Sequence, residues 1–305
     1  MEAPPLVQEQ GAPRPRVTPR LVALDLDGTC LDAGQTLHPR TRAAVREAAQ
    51  QLPVVIATGR MYTSTTPWAR ALGLTAPVVC YQGAMVRELP GAEEEARPGR
   101  ILLADGLAAG PALAALRLSR DNGWHFQAYR ADRLICERDR PEARLYARIA
   151  QTGINFVDDL EPLLRDGTVK ALCVIEDAAE ASRCEAMLRA ELSSSARVVR
   201  SLPPFVEITS PTAGKARAVA RLCELLGIDA AEVVAVGDAP NDTDLLAMAG
   251  FAVAVDGSPA ELLAVADVRC SGPERAGVAE VLRLLGLTGD QSRGGEDTTG
   301  GSRVV

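Results

Sequence analysis

The chain has 305 residues, of which 47% are hydrophobic, and a formal charge of -7. Such a length predicts two domains with ample core material, and the negative balance argues against an extended nucleic-acid footprint. Seven scattered cysteines without CxxC spacing read as buried apolar residues in a reducing compartment; with no bilayer-length apolar run and no signal-peptide pattern, the expectation is a soluble cytoplasmic protein.

The first 19 residues are rich in proline and lack an apolar period, which predicts a disordered arm. Leu21 to Asp25 then reads as a buried parallel strand, apolar without alternation until the carboxylate arrives. It opens the stretch Asp25-Leu26-Asp27-Gly28-Thr29. Asp-Gly is an ordinary turn signal, yet two anions this close repel, and burying either alone is costly. A bound cation or a shared proton would relieve that conflict. A helix over 40–51 and a short strand over 53–57 follow, the strand ending at Thr58-Gly59-Arg60. A helix through 68–72 leads to an apolar strand over 78–81 and then Gln82-Gly83.

Residues 85–210 have a different character. Their strands (124–129, 134–137, 171–176, 197–202 and 205–209) are half-polar, with helices around 113–120, 142–150 and 178–192. The pattern predicts an inserted α+β domain whose sheet has one covered and one open face. Beyond it come a helix over 216–226, a strand over 233–236 ending at Gly237-Asp238, and a strand over 251–255. The tail 289–305 again predicts disorder. The expected organisation is therefore an α/β core, 20–84 plus 211–288, built on a parallel sheet and interrupted by the insertion.

Asp25 with Asp27, Thr58 with Arg60, and Asp238 each follow the last apolar residue of a predicted parallel strand. Ligands of open α/β sheets sit in the crevice beyond those carboxyl ends, so positions 25, 58 and 238 are expected to converge. Lys170 and Lys215 are the only lysines among 33 basic residues. A compact ammonium serves where a planar guanidinium would not fit, which favours Lys215 as a partner for a carboxylate. Gly214-Lys215 is not a nucleotide-binding P-loop, because positions 209 and 216 hold Thr209 and Ala216.

These four stretches together resemble the haloacid dehalogenase-superfamily phosphatases of the Cof-like branch, with a cap of type C2B between the second and third motifs. Asp25-Leu26-Asp27-Gly28-Thr29 is similar to the family's DxDGT, Thr58-Gly59-Arg60 to its Ser/Thr-Gly-Arg, Lys215 to its lysine, and Gly237-Asp238-Ala239-Pro240-Asn241-Asp242 to its GDxxND. The resemblance implies a Rossmann-like parallel-sheet core with an inserted cap. It also implies a Mg²⁺-dependent phosphatase acting through an aspartyl-phosphate: Asp25 as nucleophile, Asp27 as acid and base, and Thr58 and Gly59 around the phosphoryl group, with Arg60 either binding substrate or bracing the loop and Asn241 either contacting phosphate or fixing the metal-site loop. Lys215 would neutralise charge, and the metal would take Asp25, the Asp27 carbonyl and Asp238, with Asp242 behind them.

A phosphomutase or phosphotransferase on sugar phosphates, or a non-catalytic module binding Mg²⁺ and a phosphometabolite, are the alternatives. The implied substrate is a small phosphorylated metabolite, sugar phosphates first, with His125, Tyr129, Arg130 and Lys170 available to contact it. No nucleic acid, membrane or obligate protein partner is expected, and a monomer is the default. The chain departs from the family at Gln82-Gly83-Ala84, where Asn-Gly-Ala is usual, and at Gly257-Ser258, where Asn-Ala is usual.

Overall fold

The computed structural model describes residues 3–9, 11–91 and 98–289. Chain order begins with β1 (Leu21–Leu24), α1 (Pro39–Ala48), β2 (Val54–Ile56), α2 (Tyr62–Ala71), β3 (Val78–Cys80), β4 (Met85–Arg87) and β5 (Ile101–Ala104). It continues with α3 (Ala109–Asn122), β6 (His125–Arg130), β7 (Arg133–Cys136), α4 (Pro141–Ala150), β8 (Ile154–Phe156), α5 (Glu161–Leu164), β9 (Ala171–Val174), α6 (Ala178–Leu192), β10 (Arg197–Leu202) and β11 (Phe205–Thr209). The last part is α7 (Lys215–Leu226), β12 (Val233–Gly237), α8 (Thr243–Met248), β13 (Phe251–Val255), α9 (Ala260–Leu263), β14 (Val268–Cys270) and α10 (Gly277–Leu284).

The core sheet runs β14-β13-β12-β1-β2, parallel throughout, and an isolated bridge from Ala57 to Val79 joins β3 to its far edge. Its strands read as unbroken apolar runs because both faces are covered. Val22, Leu24, Ile56 and Val236 pack into one core cluster with Val45 of α1 and Val281 of α10. Leu21, Ala23, Val55 and Ala235 pack into another with Ala218, Val219 and Leu222 of α7. Local chemistry fixes the helix ends. Pro39 starts α1, capped by the His38 ring accepting from the Arg40 amide at 3.1 Å, and Gly227 at φ 63° closes α7.

The second sheet has the order β10-β11-β9-β6-β7-β8 and is antiparallel except for β7 with β8. This insertion is smaller than the expected 85–210. The strand β4 hydrogen-bonds to β3 and β5 to β4, so the pair continues from the core, and the six-stranded sheet begins only at β6. The expected open face is also absent among the described residues. Phe126, Ala128, Cys173 and Val206 pack under Ala115 of α3 and Leu188 of α6, while Tyr129, Leu172 and Phe205 on the opposite face pack with Tyr146 of α4 and with the core. The strands are half-polar because their inner face carries buried polar groups toward the core crevice.

The N-terminal arm departs from the expected disorder. Val7 donates to the Arg269 carbonyl at 2.8 Å, the Arg269 amide donates to the Pro5 carbonyl at 2.8 Å, and Val7 is buried. The segment thereby satisfies the edge of β14, which would otherwise present unpaired backbone groups. The expected tail lies outside the described residues except for Gly289, whose amide donates to Glu47.

Candidate active site

The site forms where β1 and β12, the centre of the parallel sheet, end side by side. Val22 is in register with Val234 and Leu24 with Val236, and the Asp25 amide donates to the Val236 carbonyl at 2.9 Å. Asp25 and Asp238 therefore leave neighbouring strands at the same level. Gly28 permits the turn between them: its φ is +83°, and a Cβ there would stand 2.2 Å from Asp238 Oδ2. Gly237 is likewise required, since a Cβ would lie 2.6 Å from the Asp242 carboxyl carbon.

Carboxylate oxygens of Asp25, Asp238 and Asp242 lie within 4.8 Å of one another. Lys215, at the start of α7, donates to Asp25 Oδ1 at 2.5 Å and to Asp242 Oδ1 at 2.6 Å. The other Asp242 oxygen accepts from the amides of Asp238 and Ala239, both at 3.2 Å, and Thr29 donates to Asp238 Oδ1 at 2.9 Å. Three carboxylates thus face one ammonium. Burial, then the Asp242 charge, pushes the Asp238 carboxyl up to about 7. Burial also raises Asp25 well above the carboxylate range, where the neighbouring Asp242 and Asp238 charges add to the effect and Lys215 only partly opposes it. For Lys215, burial works against the charge, but Asp242 and Asp25 outweigh it and hold the ammonium above the ordinary lysine value. An all-oxygen cluster with this excess of negative charge fits a hard divalent cation.

Asp27 turns away from that cluster. Its carboxylate is gripped by Arg60, with Nε donating at 2.7 Å to one oxygen and Nη2 at 2.5 Å to the other, and Gln35 donates to it at 3.1 Å. Arg60 also donates to Gln35 Oε1. The sequence left open whether Arg60 meets substrate or braces the loop; here it braces Asp27 with two of its nitrogens. Its third, Nη1, is buried without a partner among the described residues, as is Asn241 Oδ1, and both residues line the pocket beside Asp25. Thr58 follows β2, its amide donating to Val79, and its hydroxyl accepts from the Arg60 amide at 3.2 Å.

A second group of polar residues closes the pocket from above. Lys170 donates to the Gly59 carbonyl at 2.6 Å and to Glu207 Oε2, whose other oxygen accepts from Gln82 at 2.9 Å and from Ser201. Gln82 in turn accepts from Asn241 at 3.0 Å. Tyr81 and Gln82, with φ of 54° and 59°, hold the turn that puts this side chain between the two domains. Gly59 leaves room for it, since a Cβ there would sit 2.3 Å from Gln82 Nε2. Of the cap residues expected near a substrate, Lys170 lines the pocket. Tyr129 lies behind it, its ring centroid 5.2 Å from Nζ; His125 is buried against Gln127; Arg130 is exposed and paired with Asp166 at 2.9 Å. Sequence reasoning missed Glu207 and Gln35. A lone carboxylate inside the apolar run Phe205-Val206-Glu207-Ile208 was the available signal for the first; nothing marks the second.

Among the described residues no helix is long and apolar enough to cross a membrane. Residues 22–282 match the family described as haloacid dehalogenase-like hydrolase. The putative phosphatase YxeH of Bacillus subtilis (strain 168) is 28% identical over 274 residues, covering 88% of this chain and 98% of that protein. A phosphoglycolate phosphatase of Archaeoglobus fulgidus is 27% identical over 271 residues, covering 88% and 98%. The crystal structure of a haloacid dehalogenase-like hydrolase from Bacteroides thetaiotaomicron superimposes with a TM-score of 0.75 at 25% identity, over 87% of this chain and 98% of that one. With the fold, the site and these likenesses in agreement, the chain belongs to the haloacid dehalogenase-like hydrolases, as a Cof-like phosphatase that hydrolyses phosphoric monoesters.

Proposed function

We propose that the protein is a Mg²⁺-dependent phosphatase of small phosphorylated metabolites, sugar phosphates or related monoesters, working through a phosphorylated Asp25. One observation carries the reading: Asp25 lies between the Lys215 ammonium and an acidic cluster with too little positive charge, while Asp27 stands apart, held by Arg60. Two carboxylates two residues apart thus occupy different environments, the condition for dividing nucleophile from acid and base.

Asp25 attacks phosphorus in line, forming an acyl-phosphate bond as the ester oxygen departs. Asp27 gives its proton to that oxygen. The same carboxylate then takes a proton from water, which attacks phosphorus, frees phosphate and restores Asp25. Thr58, Lys215 and the backbone near Gly59 surround the phosphoryl oxygens, where preset charge does most of the catalytic work. Asn241 and Arg60 Nη1 are left to meet the substrate, and Arg60 fixes the rotamer of Asp27. Mg²⁺, held by Asp25, the Asp27 carbonyl and Asp238 with Asp242 in support, would offset the repulsion between Asp25 and the incoming phosphate.

The test is phosphate release from p-nitrophenyl phosphate with and without EDTA. The reading expects release that EDTA stops and Mg²⁺ restores. Metal-independent release, or none from this ester and from a panel of sugar phosphates, contradicts it.

A further inference from the structure

The segment from Thr58 to Thr63 carries both Thr58 and Arg60, yet its own residues do not finish it. The N-cap of α2 is Met61, whose side chain accepts nothing, so the first amides of the helix need a partner from elsewhere. The partner comes from the other domain. Asp132 Oδ1 accepts from the Tyr62 amide at 3.1 Å and Asp132 Oδ2 from the Thr63 amide at 2.9 Å. Asp132 also accepts from the Tyr81 hydroxyl, while the Tyr81 amide donates to the Arg60 carbonyl at 2.9 Å.

The position of Asp132 is itself specified. It is the second residue of the two-residue turn joining β6 to β7, with Ala131 at φ 48° and Asp132 at φ 59°. Such turns favour Asn, Asp or Gly, so Ala131 is held in a conformation that costs an alanine free energy. Lys170, directly before β9 of the same domain, takes the Gly59 carbonyl. Two cap side chains of opposite charge therefore satisfy backbone groups on both sides of Arg60.

We propose that Asp132 is a positioning residue of the reaction: by capping α2 across the domain boundary it fixes the backbone of residues 59–63, and so the angle at which Arg60 grips Asp27. The inference rests on the reading of Asp27 as acid and base. Its consequence is that the acid–base group is set correctly only while the inserted domain is docked on the core.

The test compares wild type, Asp132→Ala and Asp132→Asn in kcat and KM for p-nitrophenyl phosphate, together with hydrogen exchange at the Tyr62 and Thr63 amides. Asp132→Ala should speed exchange at both amides and lower kcat about 10- to 100-fold, with KM within about twofold. Asp132→Asn, which keeps one acceptor oxygen, should fall between the two. Should the alanine variant not fold, the asparagine variant decides: faster exchange at one amide with a severalfold lower kcat supports the role. Unchanged exchange, or faster exchange with wild-type kcat, overturns it. A wild-type enzyme without turnover defeats the reading of Asp27 instead, and that outcome is separate from wild type and Asp132→Ala turning over alike.

Discussion

The two lysines of this chain sit in two buried clusters with opposite charge balance. Lys215 and Lys170 are each only 1% exposed, and each is ion-paired. In the core crevice Lys215 faces Asp25 and Asp242 with Asp238 close by, so the carboxylates outnumber the cation. On the inner face of the inserted domain Lys170 faces Glu207 alone, and the other Glu207 oxygen accepts from Gln82 and Ser201. A balanced, hydrogen-bonded pair holds two domains together. An unbalanced one has unmet demand for positive charge, and that demand is what a metal ion and a phosphoryl group can use.

The comparison breaks most visibly at Asp25. Asp25→Asn should lower turnover by ~10⁴-fold or more with the fold intact, measured by phosphate release and circular dichroism. Wild-type rates would end its role as nucleophile. Removing either lysine alone strands buried carboxylate, so Lys215→Met and Lys170→Met should each cost about 3–5 kcal/mol in denaturant unfolding. The balanced pair differs in its remedy. The double variant Lys170→Met with Glu207→Leu should recover most of that stability, whereas no apolar replacement of Lys215 and Asp25 together can recover activity.

Charge imbalance also has a pH signature. Folding raises the Asp238 carboxyl from 3.8 to about 7, so the folded state binds a proton more tightly than the unfolded chain does. The stability this contributes is full below about 3.8 and lost as pH rises through about 7. Without metal, Asp238→Asn should therefore gain in Tm relative to wild type as pH rises from 4 to 8, and Mg²⁺ should raise the Tm of wild type most at the high end. A Tm difference flat across that range contradicts the assignment. The smallest effect is expected at Gln82→Asn, which shortens the link between Asn241 and Glu207: about 1 kcal/mol for a lost hydrogen bond, with a severalfold drop in kcat/KM.

The sequence made the core legible and left the closure of the pocket hidden, for a physical reason. A parallel strand covered on both faces must be apolar along its length, so β12 and β13 stand out, and a polar residue directly after such a run is conspicuous. That is why Asp25, Thr58 and Asp238 stand out in the sequence as candidates for one crevice. The strands of the insertion alternate, and alternation is equally consistent with a solvated face and with a face carrying buried polar groups. Only the packing against the core separates the two, because Lys170 meets Gly59 across 111 positions of sequence and Asp132 meets Tyr62 across 70. The N-terminal strap was hidden for a different reason: Leu6 and Val7 are too few to show a period, and their place is set by the free edge of β14. Gln82, which looked like a departure from the family, is the residue whose extra methylene reaches Glu207.

The most direct measurement is identification of the phosphorylated residue. Asp27→Asn incubated with p-nitrophenyl phosphate and Mg²⁺ should accumulate the phosphoenzyme, because the hydrolytic half-reaction has lost its base. Borohydride reduction followed by peptide mass spectrometry should then find homoserine at position 25 and nowhere else. Reduction at another carboxylate, or none while phosphate is still released, would contradict the account.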